Sequence, residues 1–168
     1  KVYLFNQNSY KLVYVKSTPW KFIADNKVLG VSVDTSGNVY AGTEGNSVYK
    51  LDSTGSQVWN FTTDGGVSSV AVDTSGNVYV GTYGKSVYKL DSTSTQVWQF
   101  TADSYVHSVA VDTSGNVYAG TEGNSVYKLD SSGSQVWHFA LDNRVNSVTV
   151  DTSGNVYAGT DGNSVYKL

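Results

Sequence analysis

The sequence predicts an all-β chain, a β-propeller of four-stranded antiparallel blades written as a 39-residue repeat. Three observations predict it. The stretch "DTSGNVYAGTEGNSVYKLD" starts at Asp34 and returns unchanged at Asp112, with near copies starting at Asp73 and Asp151. Trp20, Trp59, Trp98 and Trp137 keep the same 39-residue interval, as do Phe22, Phe61, Phe100 and Phe139. Each unit also resolves into four short apolar runs bounded by Gly, Asn, Asp and Ser. None of these runs has a helical apolar spacing, so no helix is expected.

The second unit shows how each strand is argued. "VSSVAVD" (67–73), rich in β-branched residues, is strand a. After the turn "DTSG" comes strand b, "NVYVG" (77–81), and after "TYGK" comes strand c, "SVYKLD" (86–91). "QVWQF" (96–100), after "DSTST", is strand d. In strand c, Val87 points to one side and Tyr88 to the other, so both faces of the sheet carry apolar groups. Such a sheet needs packing on both faces. Units of about 40 residues stacked radially give each sheet two neighbours. A linear solenoid would need a shorter period and one strand per layer.

Residues 1–168 read as a single domain. Residues 1–27 are an eroded partial blade, 28–66, 67–105 and 106–144 are full repeats, and 145–168 are a partial repeat. The first unit supplies strands b ("KVYLF"), c ("YKLVYV") and d ("PWKFIA"), the last supplies a, b and c, and the total is 18 strands. About five blades, incomplete at both termini, accept every strand. The alternatives are a four-blade ring with strands left over, a portion of a larger propeller, and completion by another copy. An unpaired edge such as 164–168 invites self-association through the terminal strands.

Composition narrows the function. Net charge is −3 and Lys and Arg are scattered singly, which excludes nucleic acid as a partner. No apolar run is long enough to insert in a membrane as a helix. Without Cys there are neither disulfides nor thiolate metal sites. An extracellular, cell-surface, periplasmic or virion setting suits this composition, although a cytosol accommodates it too. The sequence lacks Met, so it is read as a processed product, an excised domain or part of a longer chain.

The repeat itself resembles those of two propeller families. "VAVDTSGNVYVGTYGKSVYKLD" (70–91) resembles the NHL repeat, and "VYKLDSTGSQVWNF" (48–61) resembles the quinoprotein (PQQ-like) repeat. The resemblance covers essentially the whole chain and implies the propeller fold. In the quinoprotein repeat the Trp docks between adjacent blades, which implies that role for Trp20, Trp59, Trp98 and Trp137. Spacing departs from that pattern between Asp52 and Gly55, and Ser94 replaces Gly. Nothing matches the cofactor-binding loops or calcium-ligating carboxylates of a quinone dehydrogenase, so no cofactor is expected.

Candidate chemistry is sparse. His107 and His138 are the only histidines, they occupy different points of the repeat, and no Ser/His/Asp arrangement is expected around them. The four "DTSGN" motifs offer oxygen ligands of the kind calcium takes. The simpler reading makes Asp a turn cap and Gly the residue with positive φ. The Trp series could stack sugars, but a Trp in every unit between Val and a polar residue is better used between blades. Asn60 opens an "NFT" glycosylation sequon, meaningful only in a glycosylating host. We therefore expect a non-enzymatic binding or structural scaffold for a protein or glycan partner. The alternative is a fragment of a quinoprotein-like or other propeller enzyme whose catalytic residues lie elsewhere.

Where the repeats differ suggests the binding face. In a propeller the d–a and b–c connections emerge together, opposite the a–b and c–d turns. The a–b turn never changes, whereas the d–a segment differs at Lys27/Gly66/Tyr105/Arg144 and Leu29/Ser68/His107/Asn146. The b–c turn differs at Glu44/Tyr83/Glu122/Asp161 and Asn46/Lys85/Asn124/Asn163. The expected ligand-binding residues are Glu44, Tyr83, Lys85, Tyr105, His107, Glu122, Arg144, Asn146 and Asp161. Tyr105 and Arg144 are the expected anchors, given how often these residue types dominate interface energy. The competing explanation is that the constant turns are tighter and tolerate less change.

Overall fold

A computed structural model describes the backbone of residues 2–6, 9–13 and 19–168, and the side chains of 19–168. Every regular element among these residues is a strand. β1 (Val2–Asn6) and β2 (Ser9–Val13) form a two-stranded sheet. β3 (Val28–Val33), β4 (Val39–Thr43), β5 (Ser47–Leu51) and β6 (Gln57–Thr62) form the first four-stranded blade. β7 (Val67–Val72), β8 (Val78–Thr82), β9 (Ser86–Leu90) and β10 (Gln96–Thr101) form the second. β11 (Val106–Val111), β12 (Val117–Thr121), β13 (Ser125–Leu129) and β14 (Gln135–Ala140) form the third. β15 (Val145–Val150), β16 (Val156–Thr160) and β17 (Val165–Lys167) complete the series.

The architecture is the propeller that the repeat predicts, all antiparallel and incomplete in its first and last sheets. One expected strand is not formed. Residues 19–24 make no ladder, so the described residues hold 17 strands rather than 18. Side-chain contacts position this segment instead. The Phe22 ring meets Tyr49 edge-on at 5.1 Å, and a Cβ on Gly55 would collide with the Trp20 ring. Residues 14–18, which include part of the expected second strand, lie outside the described residues.

The core lies between blades. Tyr79 and Val87 of the second blade cluster with Val106, Val109, Val117 and Leu129 of the third. Close approach is set by a glycine in each second strand: a Cβ on Gly81 would lie 2.7 Å from Val106 Cγ1 and 3.1 Å from Val109 Cγ1. Gly42 receives Val67 and Val70 in the same way, and Gly120 receives Val145 and Val148. Burying such apolar pairs is the main driving force for stacking, at about 25 cal/mol per Å².

Every a–b pairing carries a β-bulge, between Val28 and Gly30, Val67 and Ser69, Val106 and Ser108, and Val145 and Ser147. The bulged residues are Leu29, Ser68, His107 and Asn146, one of the two variable series of the d–a segment. A bulge re-aims its side chain away from the regular pleat.

Candidate binding face

The d–a and b–c connections meet, as the propeller geometry requires. Glu44 N donates to the Lys27 carbonyl, Tyr83 N to Gly66, Glu122 N to Tyr105, and Asp161 N to Arg144. Beneath each crossing a carboxylate ties the two loops together. Asp64 accepts from the Thr82 and Ser86 hydroxyls, and Asp103 accepts from Thr121 at 2.9 Å and Ser125 at 2.5 Å.

Above this frame the variable side chains sit in pairs within a blade. Lys27 Nζ lies 3.0 Å from Glu44, and Arg144 lies 2.8 Å from Asp161, which also accepts from Asn146. His107 Nε2 is 2.8 Å from Glu122 Oε2. In the second blade, where Tyr83 replaces the acid, Gly65 and Gly66 stand opposite. A Cβ on Gly66 would lie 3.1 Å from the Tyr83 ring, so the glycine leaves space for it. An acid is opposed by a cation or histidine, and a tyrosine by glycine. The histidine comes from the bulged column Leu29/Ser68/His107/Asn146 and the cations and glycine from the column two residues earlier, so no single pair of columns displays the rule.

One group crosses between blades. Tyr83 of the second blade meets Tyr105 and His107 of the third edge-on, both at 5.9 Å, and His107 carries the contact on to Glu122. Tyr105 is 46% exposed, so the cluster presents an aromatic surface with an ionic edge. Lys85, exposed beside it, holds φ at 72° and reaches the Asp103 carbonyl. Arg144, Asn146 and Asp161 form a separate patch one blade on, and Glu44 with Lys27 another two blades back.

Ser, His and Asp do come together once, at Asp103, Ser125 and His138, which the sequence did not suggest. Their order differs from a nucleophilic relay: Ser125 Oγ donates to Asp103, and His138 Nε2 lies 3.2 Å away on the other side of the same oxygen. Ser125 is buried, and His138 stacks on Tyr127 at 5.0 Å. The equivalent place in the second blade holds Gln99, which donates to Ser86.

On the opposite face, each "DTSGN" carboxylate is consumed by its own turn. Asp112 Oδ1 accepts from Ser114 N and Asn116 N at 2.9 Å; Oδ2 accepts from Asn116 Nδ2 and the Tyr118 hydroxyl at 2.8 and 3.0 Å. Partial burial works to raise the Asp112 pKa, but the hydrogen bonds from Asn116, Tyr118 and Ser114 outweigh it and hold the carboxyl below its usual range. Burial and the same carboxylate push Tyr118 up to about 12. The positive φ falls on Gly37, Gly76, Gly115 and Gly154. A cleft of about 330 Å³ opens here between the Asp73 and Asp112 turns, beside Lys89.

The tryptophans run along the outer edge of this face. Trp59 Nε1 donates to the Ser92 carbonyl of the next blade and Trp98 Nε1 to Ser131, both at 3.1 Å. Their rings tilt against Tyr40 and Tyr79 at 6.0 and 6.2 Å, and Trp137 against Tyr118 at 6.1 Å. Trp59, Trp98 and Trp137 are half-buried, while Trp20 is more exposed.

Comparison with known proteins agrees with this architecture. The WD40 β-propeller domain of Doa1 is similar in structure, with a TM-score of 0.79 at 15% sequence identity over 85% of this chain and 51% of that one. This chain therefore spans about half the length of that structure. A search of the curated proteins finds no match. A PQQ-repeat family model described as outer membrane protein assembly factor BamB matches residues 17–107 and 93–168. Its two matches together cover nearly all of the sequence, and the chain belongs to this BamB-type PQQ-repeat family.

Proposed function

We propose that the chain is a non-enzymatic scaffold that binds a protein partner on the face formed by its d–a and b–c connections. The observation that carries this reading is the Tyr83–Tyr105–His107–Glu122 cluster, an exposed aromatic surface built where the blades differ most. Tyr supplies large contact area at small entropic cost, and an ionic edge sets orientation. The family description, an outer membrane protein assembly factor, supports a protein rather than a glycan partner and a periplasmic setting. The order Asp103, Ser125, His138 supports a structural rather than catalytic use of the histidine.

Immobilised chain is titrated with extended segments of outer membrane β-barrel proteins and, in parallel, with a glycan panel. Binding to the former should be abolished by joint alanine substitution at Tyr83, Tyr105, His107 and Arg144, and unchanged by substitution at Thr35, Thr74, Thr113 and Thr152. If the second set abolishes binding, the wrong face has been chosen. If only glycans bind, the partner class is wrong.

A further inference from the structure

The seam between the second and third blades opens on the constant face as the cleft of about 330 Å³ between the Asp73 and Asp112 turns. Four-stranded blades flank it on both sides, and its lining residues all lie between Val72 and Ser131, clear of both ends of the sequence. Small-molecule pockets span about 300–1,000 Å³, and the cleft falls at the lower end of that range. The polar groups that reach it differ in how far they are already occupied.

The carboxylates are full. Asp73, like Asp112, accepts two backbone amides on Oδ1, and an asparagine amide and a tyrosine hydroxyl on Oδ2. That spends the lone pairs of a carboxylate. The hydroxyls are not full. Those of Thr74, Ser75, Thr113 and Ser114 bond to nothing among the described residues, and the turns use the two serines through their backbone amides. Lys89 lies between these extremes. Its ammonium donates to the Ser131 carbonyl at 3.3 Å and sits 5.5 Å from the centre of the Tyr79 ring, so a further N–H remains to be given.

This inventory selects the ligand. An anion would meet two carboxylates against one ammonium. A metal cation would need lone pairs that the turns have filled, and no group of three metal-binding side chains occurs among the described residues. A neutral ring bearing several hydroxyls fits. It accepts from Lys89 and exchanges hydrogen bonds with the Ser and Thr hydroxyls, each both donor and acceptor. Val72 and Val111, also in the lining, give its C–H face an apolar wall.

We propose that this cleft binds one neutral sugar ring, at a site separate from the protein-binding face. The preceding junction repeats its chemistry. Lys50 lies 5.4 Å from the centre of the Tyr40 ring, and Ser92 stands beside Gly76 as Ser131 does beside Gly115.

Isothermal titration with glucose, galactose and N-acetylglucosamine tests the site, and at least one of them should bind. Lys50→Ala and Lys89→Ala are combined, so that both junctions are altered. The pair should weaken binding about tenfold or more, the loss expected for a hydrogen bond from a charged donor, with the circular dichroism of the parent. A second measurement needs no variant. In amide NMR spectra the bound sugar should shift Thr74, Ser75, Thr113 and Ser114 and leave Tyr83 and Tyr105 in place. The proposal is overturned if none of the three sugars binds, or if the lysine pair binds as tightly as the parent. Both results leave the protein-binding reading intact. Shifts that gather at Tyr83 and Tyr105 overturn the proposal too, and they also revise the partner class of the variable face. Inorganic phosphate or calcium shifting the four turn amides more than any sugar would make the cleft an ion site and equally overturn it.

Discussion

On one face of the propeller the turns at Asp34, Asp73, Asp112 and Asp151 are identical over five residues; on the other, four of the six d–a positions (24–29 and their equivalents) and two of the five b–c positions (43–47 and their equivalents) differ between repeats. Each constant turn is a closed circuit. Both oxygens of Asp112 are used, by two backbone amides, an asparagine and a buried tyrosine hydroxyl, so every letter is held by its neighbours. On the variable face the conserved circuit lies one layer down, in the Asp103–Thr121–Ser125 frame, and the residues above it answer only to one another. Exposed pairs of this kind contribute little to stability, so Lys–Glu, Gly–Tyr, His–Glu and Arg–Asp can substitute for one another. The constant face is conserved by its hydrogen bonds, and the variable face is free to be used.

The largest expected effect tests whether the constant face also joins the blades. Trp98→Ala removes a half-buried ring and its hydrogen bond to Ser131, and should cost about 3 kcal/mol in chemical denaturation. A cost below about 1 kcal/mol would mean the ring is not a junction element and is available to ligand. Next is Asp112→Ala, which leaves the Tyr118 hydroxyl and two turn amides without their acceptor and should cost about 2 kcal/mol. Glu122→Ala, the matching change on the variable face, should cost less than about 1 kcal/mol. Equal costs would erase the distinction between the faces.

Much of this was legible in the sequence. The 39-residue period located the blades, since Trp59, Trp98 and Trp137 each mark one fourth strand. The roles of Asp73 and Gly76 in the turn followed from residue chemistry. Residues 19–24 were not legible, because a strand needs a partner edge and strand propensity does not report whether one is present. The pairing of Gly66 with Tyr83 and of His107 with Glu122 was hidden for another reason. It joins positions 15 to 17 residues apart through a bulge, and no single run of sequence displays it.

Smaller and directional is the response to pH. Asp34, Asp73, Asp112 and Asp151 all have pKa values lowered below the ordinary 3.8, where hydrogen bonds overcome the opposing effect of burial. Such groups contribute stability that is complete above the unfolded value and is lost as pH falls through the lowered native one. Tyr118 is raised from 10.0 to about 12, so its contribution is complete below pH 10 and is lost as pH rises toward 12. The melting temperature should be flat between about pH 4 and pH 10 and fall on both sides. An acid limb that begins well above pH 4 would show that other groups govern it. In Tyr118→Phe the alkaline limb should be shallower.

The smallest effects give the sharpest contrast, because each face holds one residue in a conformation its counterparts fill better. Ser94 has φ 71° in a constant-face turn where the flanking repeats place Gly55 and Gly133. Lys85 has φ 72° in a variable-face turn where the others place Asn46, Asn124 and Asn163. A left-handed backbone costs an ordinary residue about 1–2 kcal/mol, and glycine or asparagine much less. Part of that gain is offset by the greater freedom of glycine in the unfolded chain. Ser94→Gly and Lys85→Asn should therefore each stabilise by about 0.5–1 kcal/mol. They should differ in binding. Ser94→Gly should leave partner affinity unchanged, because the proposed binding face is the opposite one. Lys85→Asn should weaken it, because on the proposed reading Lys85, at φ 72° beside Tyr83 and Tyr105, contacts the partner. Stability and affinity measured on the two variants decide the matter: if Lys85→Asn stabilises and binds as tightly as the parent, the variation at that turn is drift and the face must be sought one blade on, at Arg144 and Asp161.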